Sequence, residues 1–235
     1  MSEKTKRKTL GILGGMGPES TVLFFQRIVE LTPASSDQDH IPIIIYNQPQ
    51  IPDRTKAILD QGESPLPALL AGIDFLQKSG VNFICIPCNT AHHYYGEMLE
   101  IATVPIVSLI DTVVQQSLLI PRLQRIGLLA TVGTIKARIY ENAFRRHNVE
   151  VVIPEEWEFN DLQALIGRLK SQERNADVMQ RMAEALARKQ IEGIILGCTE
   201  LSLLAPQLRL DIPIIDSTEV FARRAVQIAT GKEST

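Results

Sequence analysis

Cysteine is scarce: the chain has three in 235 residues. An odd number with no hydrophobic leader excludes a disulfide scaffold and leads us to expect a reduced, cytoplasmic protein. Excess charge is missing as well. Lys and Arg total 24 against 27 acids, a net charge of −3, which gives no overall attraction to nucleic acid. The basic run Lys4-Thr-Lys-Arg-Lys8 reads as a solvated terminal tail. No apolar run reaches the ~18 residues of a membrane span. Apolar residues nonetheless make up 45% and charged residues 22%, too apolar a balance for a disordered chain. At ~150 residues per domain, the length suits one large α/β unit or two small ones.

What is present is repetition. Gly11-Ile-Leu-Gly-Gly-Met-Gly17 is answered by Gly127-Leu-Leu-Ala-Thr-Val-Gly133, and Ile41-Pro-Ile-Ile-Ile45 by Val149-Glu-Val-Val-Ile153. Val81-Asn-Phe-Ile-Cys-Ile-Pro-Cys88 is answered by Ile191-Glu-Gly-Ile-Ile-Leu-Gly-Cys198, and Val104-Pro-Ile-Val107 by Ile212-Pro-Ile-Ile215. Four similar segments in one order indicate a duplicated half. Each is a short apolar run rich in β-branched residues, as expected of a strand covered on both faces. Between them, Leu66, Leu69, Leu70, Ile73 and Leu76, and later Val178, Met182 and Leu186, recur at helical spacing and form core-facing stripes. Strands alternating with helices predict α/β lobes with parallel sheets, related by pseudo-symmetry, with a cleft between them. We expect residues 1–102 with 216–235 to form the first lobe, its last helix (219–229) packing back, and 103–215 to form the second.

Ligands bind at the carboxyl ends of parallel strands. Cys88 and Cys198 both stand there, at equivalent places in the repeat. A lone strand-end cysteine is usually a small buried apolar residue; a matched pair facing one cleft is not explained that way. Cys85 has no counterpart, since Ile195 holds its equivalent place, and is expected to be structural. Cys85-Ile-Pro-Cys88 spells C-x-x-C, but Cys85 lies in mid-strand on the opposite side, and no second such motif completes a zinc site. No metal is expected. His40 and His147 lie in polar stretches, whereas His92, four residues after Cys88, is on the same face of the helix expected there. Gly14-Gly-Met-Gly-Pro18 lacks the third glycine and the acid of a dinucleotide fingerprint; a tight turn with Pro18 opening a helix fits it better.

Two thiols on either side of a small substrate can take a proton from one face of a carbon and deliver another to the opposite face. That inverts a stereocentre. A thiol with a reference pKa of ~8.5 needs only a modest push to serve near neutrality, and helix N-termini after each cysteine would supply part of it. Asn89, Thr90, Thr131, Thr134 and Thr199 are the neutral donors available to stabilise the developing charge.

At these residues the chain resembles the pyridoxal-phosphate-independent aspartate/glutamate racemases. The resemblance runs from Gly11 to about Ala225 and rests on Gly14-Gly-Met-Gly-Pro18, Gln50-Ile-Pro-Asp-Arg54, Pro87-Cys-Asn-Thr-Ala-His92 and Gly197-Cys-Thr-Glu200. It implies that Cys88 and Cys198 are the catalytic pair, that no cofactor is used, and that the enzyme is a homodimer acting on a small amino acid. The glycine turn and Cys-Thr-Glu ending resemble aspartate rather than glutamate racemases. Arg54 then maps onto a substrate-carboxylate ligand and Lys170 onto a second-lobe lysine. Met16, Gln50 and Ala91 fall within the substrate-binding motifs, and His92 and Glu200 are expected to tune the thiols. Rival readings are a glutamate or dual-specificity racemase, a one-thiol decarboxylase or isomerase, and a non-catalytic amino-acid binder.

Overall fold

A computed structural model describes residues 7–170 and 175–232. The first half holds β1 (Leu10–Gly14), α1 (Pro18–Leu31), β2 (Ile43–Asn47), α2 (Arg54–Ile58), α3 (Leu66–Lys78), β3 (Phe83–Cys85), α4 (Tyr95–Ile101), β4 (Ile106–Val107) and α5 (Leu109–Ser117). The second holds β5 (Arg125–Ala130), α6 (Val132–Lys136), α7 (Ile139–Arg145), β6 (Glu150–Val152), α8 (Phe159–Lys170), α9 (Asp177–Ala187), β7 (Gly193–Gly197), β8 (Ile214–Asp216) and α10 (Ser217–Ala229). The strand orders are β2-β1-β3-β4 and β6-β5-β7-β8. Every pairing is parallel. One topology written twice is what the repeated segments predict.

The central strands β1 and β7 are buried at every position, because helices cover both faces and leave no site for a polar side chain. Alternation sorts the side chains of the first sheet. Leu10, Ile12 and Cys85 face a core shared by both halves, whereas Leu13, Ile84 and Ile86 pack with Leu69, Ile73 and Leu76 of α3. The Met and Leu stripe of α9 is buried in the same manner, through Met179, Met182 and Leu186. Pro18 takes the first position of α1, where its missing N–H costs nothing.

The lobes exchange their last helices. The α10 helix packs against α1 of the first half, as expected, and Phe221 stacks on Phe24 with ring centroids 5.3 Å apart. The sequence pattern did not reveal the matching exchange: α5, which follows the first sheet, packs against α7 of the second half and against α10. One boundary moves. β4 pairs with β3 through Ile84↔Ile106 and Cys85↔Val107, so the first sheet runs to Val107 and past the change of lobe expected after residue 102. The basic run near the N-terminus lies partly outside the described residues; of it, Arg7 donates to the Pro33 carbonyl at 2.9 Å. Among the described residues no helix is long and apolar enough to cross a membrane.

Truncating Phe221 to alanine removes the aromatic wedge between α1 and α10. We expect unfolding stability to fall by about 3–5 kcal/mol, measured by urea titration followed by circular dichroism.

Candidate active site

The carboxyl ends of both sheets converge on one small chamber. Cys88 lies three residues past the end of β3, and Cys198 directly follows β7. They are 5% and 4% exposed and share a space of about 20 Å³. Its other walls are Met16, Asp53, Arg54, Thr55, Asn89, Thr90, Thr131, Gln163, Thr199 and Glu200. A wider chamber of about 350 Å³ adjoins it, sharing Met16, Asp53, Arg54 and Glu200 and extending to Gly15, Gly17, Pro18, Ser20 and Leu203.

Hydroxyl groups bridge the halves at the inner chamber. Thr90 Oγ1 lies 2.9 Å from both Thr131 Oγ1 and Thr134 Oγ1, which are 3.0 Å apart. Thr131 caps α6, its side chain accepting the Thr134 N–H at 3.1 Å. The close approach continues at Gly133, where a Cβ would meet Thr55 Cα at 2.8 Å, so only glycine lets α6 come this near α2.

Charge is placed beside the thiols. Cys198 Sγ donates to Glu200 Oε2 at 3.0 Å, and Thr199 Oγ1 donates to the same oxygen at 3.4 Å. Arg54 opens α2 behind its cap Asp53, whose carboxylate accepts the Lys56 N–H at 2.9 Å. The Arg54 Nη1 group donates to the carbonyls of Ile51 and Pro52, at 3.2 and 3.0 Å, and Nη2 to that of Met16 at 3.5 Å. These bonds hold the guanidinium at the junction of the chambers. Gly15 makes the turn above it possible: its φ is +97°, and a Cβ would fall 2.3 Å from the Gln48 carbonyl carbon, a geometry open to glycine alone.

Three buried polar atoms on these walls have no partner: Arg54 Nε, Glu200 Oε1 and Ser20 Oγ. Each unsatisfied atom costs about 1–3 kcal/mol, and buried polar groups are ordinarily bonded. A donor and an acceptor left open on one cavity suit a ligand that carries both an anionic and a cationic group.

Not every expected residue reaches the chambers. Thr134 and Ala91 are fully buried behind the walls, Gln50 is exposed away from them, and the Lys170 side chain lies outside the described residues. The turns after the cysteines are also shorter than the expected helices: 3₁₀ turns at Thr90–Tyr94 and Leu201–Leu203. His92 explains the first. Its Nε2 accepts the Leu109 N–H at 3.0 Å, which leaves Nδ1 to donate to the Cys88 carbonyl at 2.9 Å. Both nitrogens are thus committed to backbone, and the ring supports the turn instead of touching the Cys88 thiol. Burial lowers its pKa against the opposing pull of the Cys88 and Val107 backbone and of Asp111. Cys85 is buried in the shared core, and burial pushes its thiol pKa well up, consistent with a structural role. Asp53 and Thr55, missed from the sequence, flank Arg54 within its motif; Gln163 projects from α8, where no motif marks it.

A family model for Asp/Glu/hydantoin racemases matches residues 13–225. The chain belongs to this family. It is 31% identical over 224 residues to the broad specificity amino-acid racemase RacX of Bacillus subtilis, covering 92% of this chain and 96% of that one. It also superposes on a Picrophilus torridus aspartate racemase with a TM-score of 0.81, at 31% identity and covering 95% and 94% of the two chains. An aspartate racemase homologue from Pyrococcus horikoshii gives a TM-score of 0.76 at 27% identity, covering 95% and 99%. The reaction class is therefore racemisation, and the two-lobed α/β architecture is that of the family.

The buried imidazole gives this racemase a pH signature. Its folded pKa lies below the unfolded ~6.5, so the unfolded chain takes up the proton first. Stability is complete above ~6.5 and declines as the pH falls through that value toward the lowered folded pKa. We expect His92→Gln to flatten this part of the stability curve, read from urea midpoints between pH 7.5 and 5.

Proposed function

We propose that this racemase interconverts L- and D-aspartate without a cofactor, with Cys88 and Cys198 as the acid and base pair. The observation that carries the reading is two thiols from equivalent strand ends on one chamber. One sulfur, as thiolate, takes the α-proton and becomes a thiol. The opposite thiol gives its proton to the other face of the carbanion and becomes the thiolate. Stereochemistry inverts, and the next turnover runs in the opposite sense. Carbon acidity is the obstacle, so the α-carboxylate needs donors as charge moves onto it; Asn89, Thr90, Thr131 and Thr199 line the chamber for this task, and one well-placed donor is worth about 2.7–4 kcal/mol.

Arg54 is the ligand for the side-chain carboxylate in this reading. Its unpartnered Nε, with the adjacent Nη2, presents the edge that a carboxylate can take in a bidentate manner. Glu200 has two oxygens in different roles: Oε2 accepts from Cys198 and Oε1 is open to an ammonium group. The name of the Picrophilus torridus relative favours aspartate. A second reading, a racemase for several amino acids, draws on the wider chamber beyond Arg54 and on the breadth stated for RacX. We infer further a homodimer in the reducing cytoplasm. Three cysteines that form no disulfide suit that compartment, and the exposed apolar stripe of Val22, Phe25 and Val29 on α1 is the kind of surface a second copy covers.

Incubation of the protein with L-aspartate in deuterated water, without added cofactor, is expected to give D-aspartate labelled at the α-carbon, seen by chiral chromatography and mass spectrometry. Absence of both product and label would refute the proposal, and glutamate turned over at the same rate would favour the second reading. Replacing either cysteine by alanine should lower kcat by about 10²–10⁴-fold or more while the circular dichroism spectrum is retained.

A further inference from the structure

Tyr140 lies outside both chambers, yet it joins the two thiol-bearing turns. It is a residue of α7 with no exposed surface. Its ring packs beside Gly197, the residue before Cys198, where an added Cβ would come within 3.2 Å of Tyr140 Cε2. Its hydroxyl crosses to the other half and donates to Oδ1 of Asn89, the residue after Cys88, at 2.6 Å. Asn89 Nδ2 in turn donates to Ser217 Oγ, at the start of α10, at 3.2 Å.

The two lengths tell the ends of the amide apart. A separation of 2.6 Å is ordinary for O–H···O and short for N–H···O, whereas 3.2 Å suits a bond from nitrogen. All three groups are buried, so water does not compete for either end. Burial, and then the neighbouring Cys198, push the phenol pKa far up. Tyr140 therefore keeps its proton and remains a donor.

We propose that Tyr140 is a positioning residue for the reaction: it holds the Asn89 amide with its oxygen taken up by the phenol, so that an N–H is what Asn89 presents to the chamber. This rests on the reading of Cys88 and Cys198 as acid and base and of Asn89 as a donor. When the α-proton leaves, negative charge spreads onto the substrate carboxylate. An N–H stabilises that charge; a carbonyl oxygen in its place would oppose it. An amide free to turn over would present either end. A bond at Oδ1 also polarises the amide and strengthens the N–H on its far side.

Tyr140→Phe keeps the ring against Gly197 and removes only the hydroxyl. The expected result is a fall in kcat of about tenfold or more in both directions with KM changed less than about twofold, since the contact matters most as charge develops. In an Asn89→Ala background the same substitution is expected to do nothing further, because its effect runs through the amide. An unchanged kcat in Tyr140→Phe, or losses that simply add in the double variant, would overturn the proposal. A readout independent of turnover is the side-chain NH₂ signal of Asn89 in ¹⁵N NMR, identified by its loss in Asn89→Ala. Slow exchange with solvent in the wild-type protein, accelerated in Tyr140→Phe, is expected; fast exchange in the wild type would overturn the clamp. If the wild type converts no amino acid, the racemisation reading fails while the NMR result still decides the clamp. Should Tyr140→Phe not fold, the wild-type exchange rate alone decides it.

Discussion

Three threonine hydroxyls from two separate sheets meet within 2.9–3.0 Å of one another, and much of the molecule serves that meeting. Thr90 comes from the turn after β3, and Thr131 and Thr134 from the cap and first turn of α6, which follows β5. To bring them together, the carboxyl ends of both sheets must point inward, and α2 must touch α6 through a glycine. The same approach brings Cys88 and Cys198 to one chamber. A parallel sheet gathers the turns that follow its strands at one end, so two such sheets set end to end concentrate polar groups where a lone sheet would expose them to solvent.

The chamber is unlike the rest of the interior. Elsewhere the core is mostly apolar; here three polar atoms, Arg54 Nε, Glu200 Oε1 and Ser20 Oγ, lie buried together without a protein partner. Unmet bonding capacity of this sort lowers stability and is kept in folded proteins where a ligand completes it. The polar wall is nonetheless rigid. His92 gives both ring nitrogens to the backbone, Asn89 gives both ends of its amide, and Arg54 gives three backbone carbonyls its outer nitrogens. Arg54 is tied down through its outer nitrogens while its Nε stays open.

How much of this was legible beforehand follows from what is local. Strand segments announce themselves by continuous apolar runs, and repetition gave their order, so both sheets and the place of each cysteine could be read. Gly15 and Pro18 carry their turn in their own backbone chemistry. Pairing across space is not local. The short strand Ile106–Val107 resembles the start of the next segment until β3 bonds to it, and nothing in α5 announces that it packs on α7. The helix expected after Cys88 was shortened by His92, whose spacing from the cysteine was right but whose ring turns to the backbone. Tyr140 escaped notice because a buried tyrosine in an amphipathic helix has the same pattern as any core residue.

The exchanged helices set the mechanics of access. A space of about 20 Å³ has room for about one water molecule, so an amino acid reaches the thiols only where the walls give way. Because α5 lies on the second half and α10 on the first, neither half can swing away as a free body. Two crossed straps allow shear or twist along their own axes and resist straight separation. The expected mode of opening is accordingly a small sliding at α1, α5, α7 and α10 instead of a swing of one half.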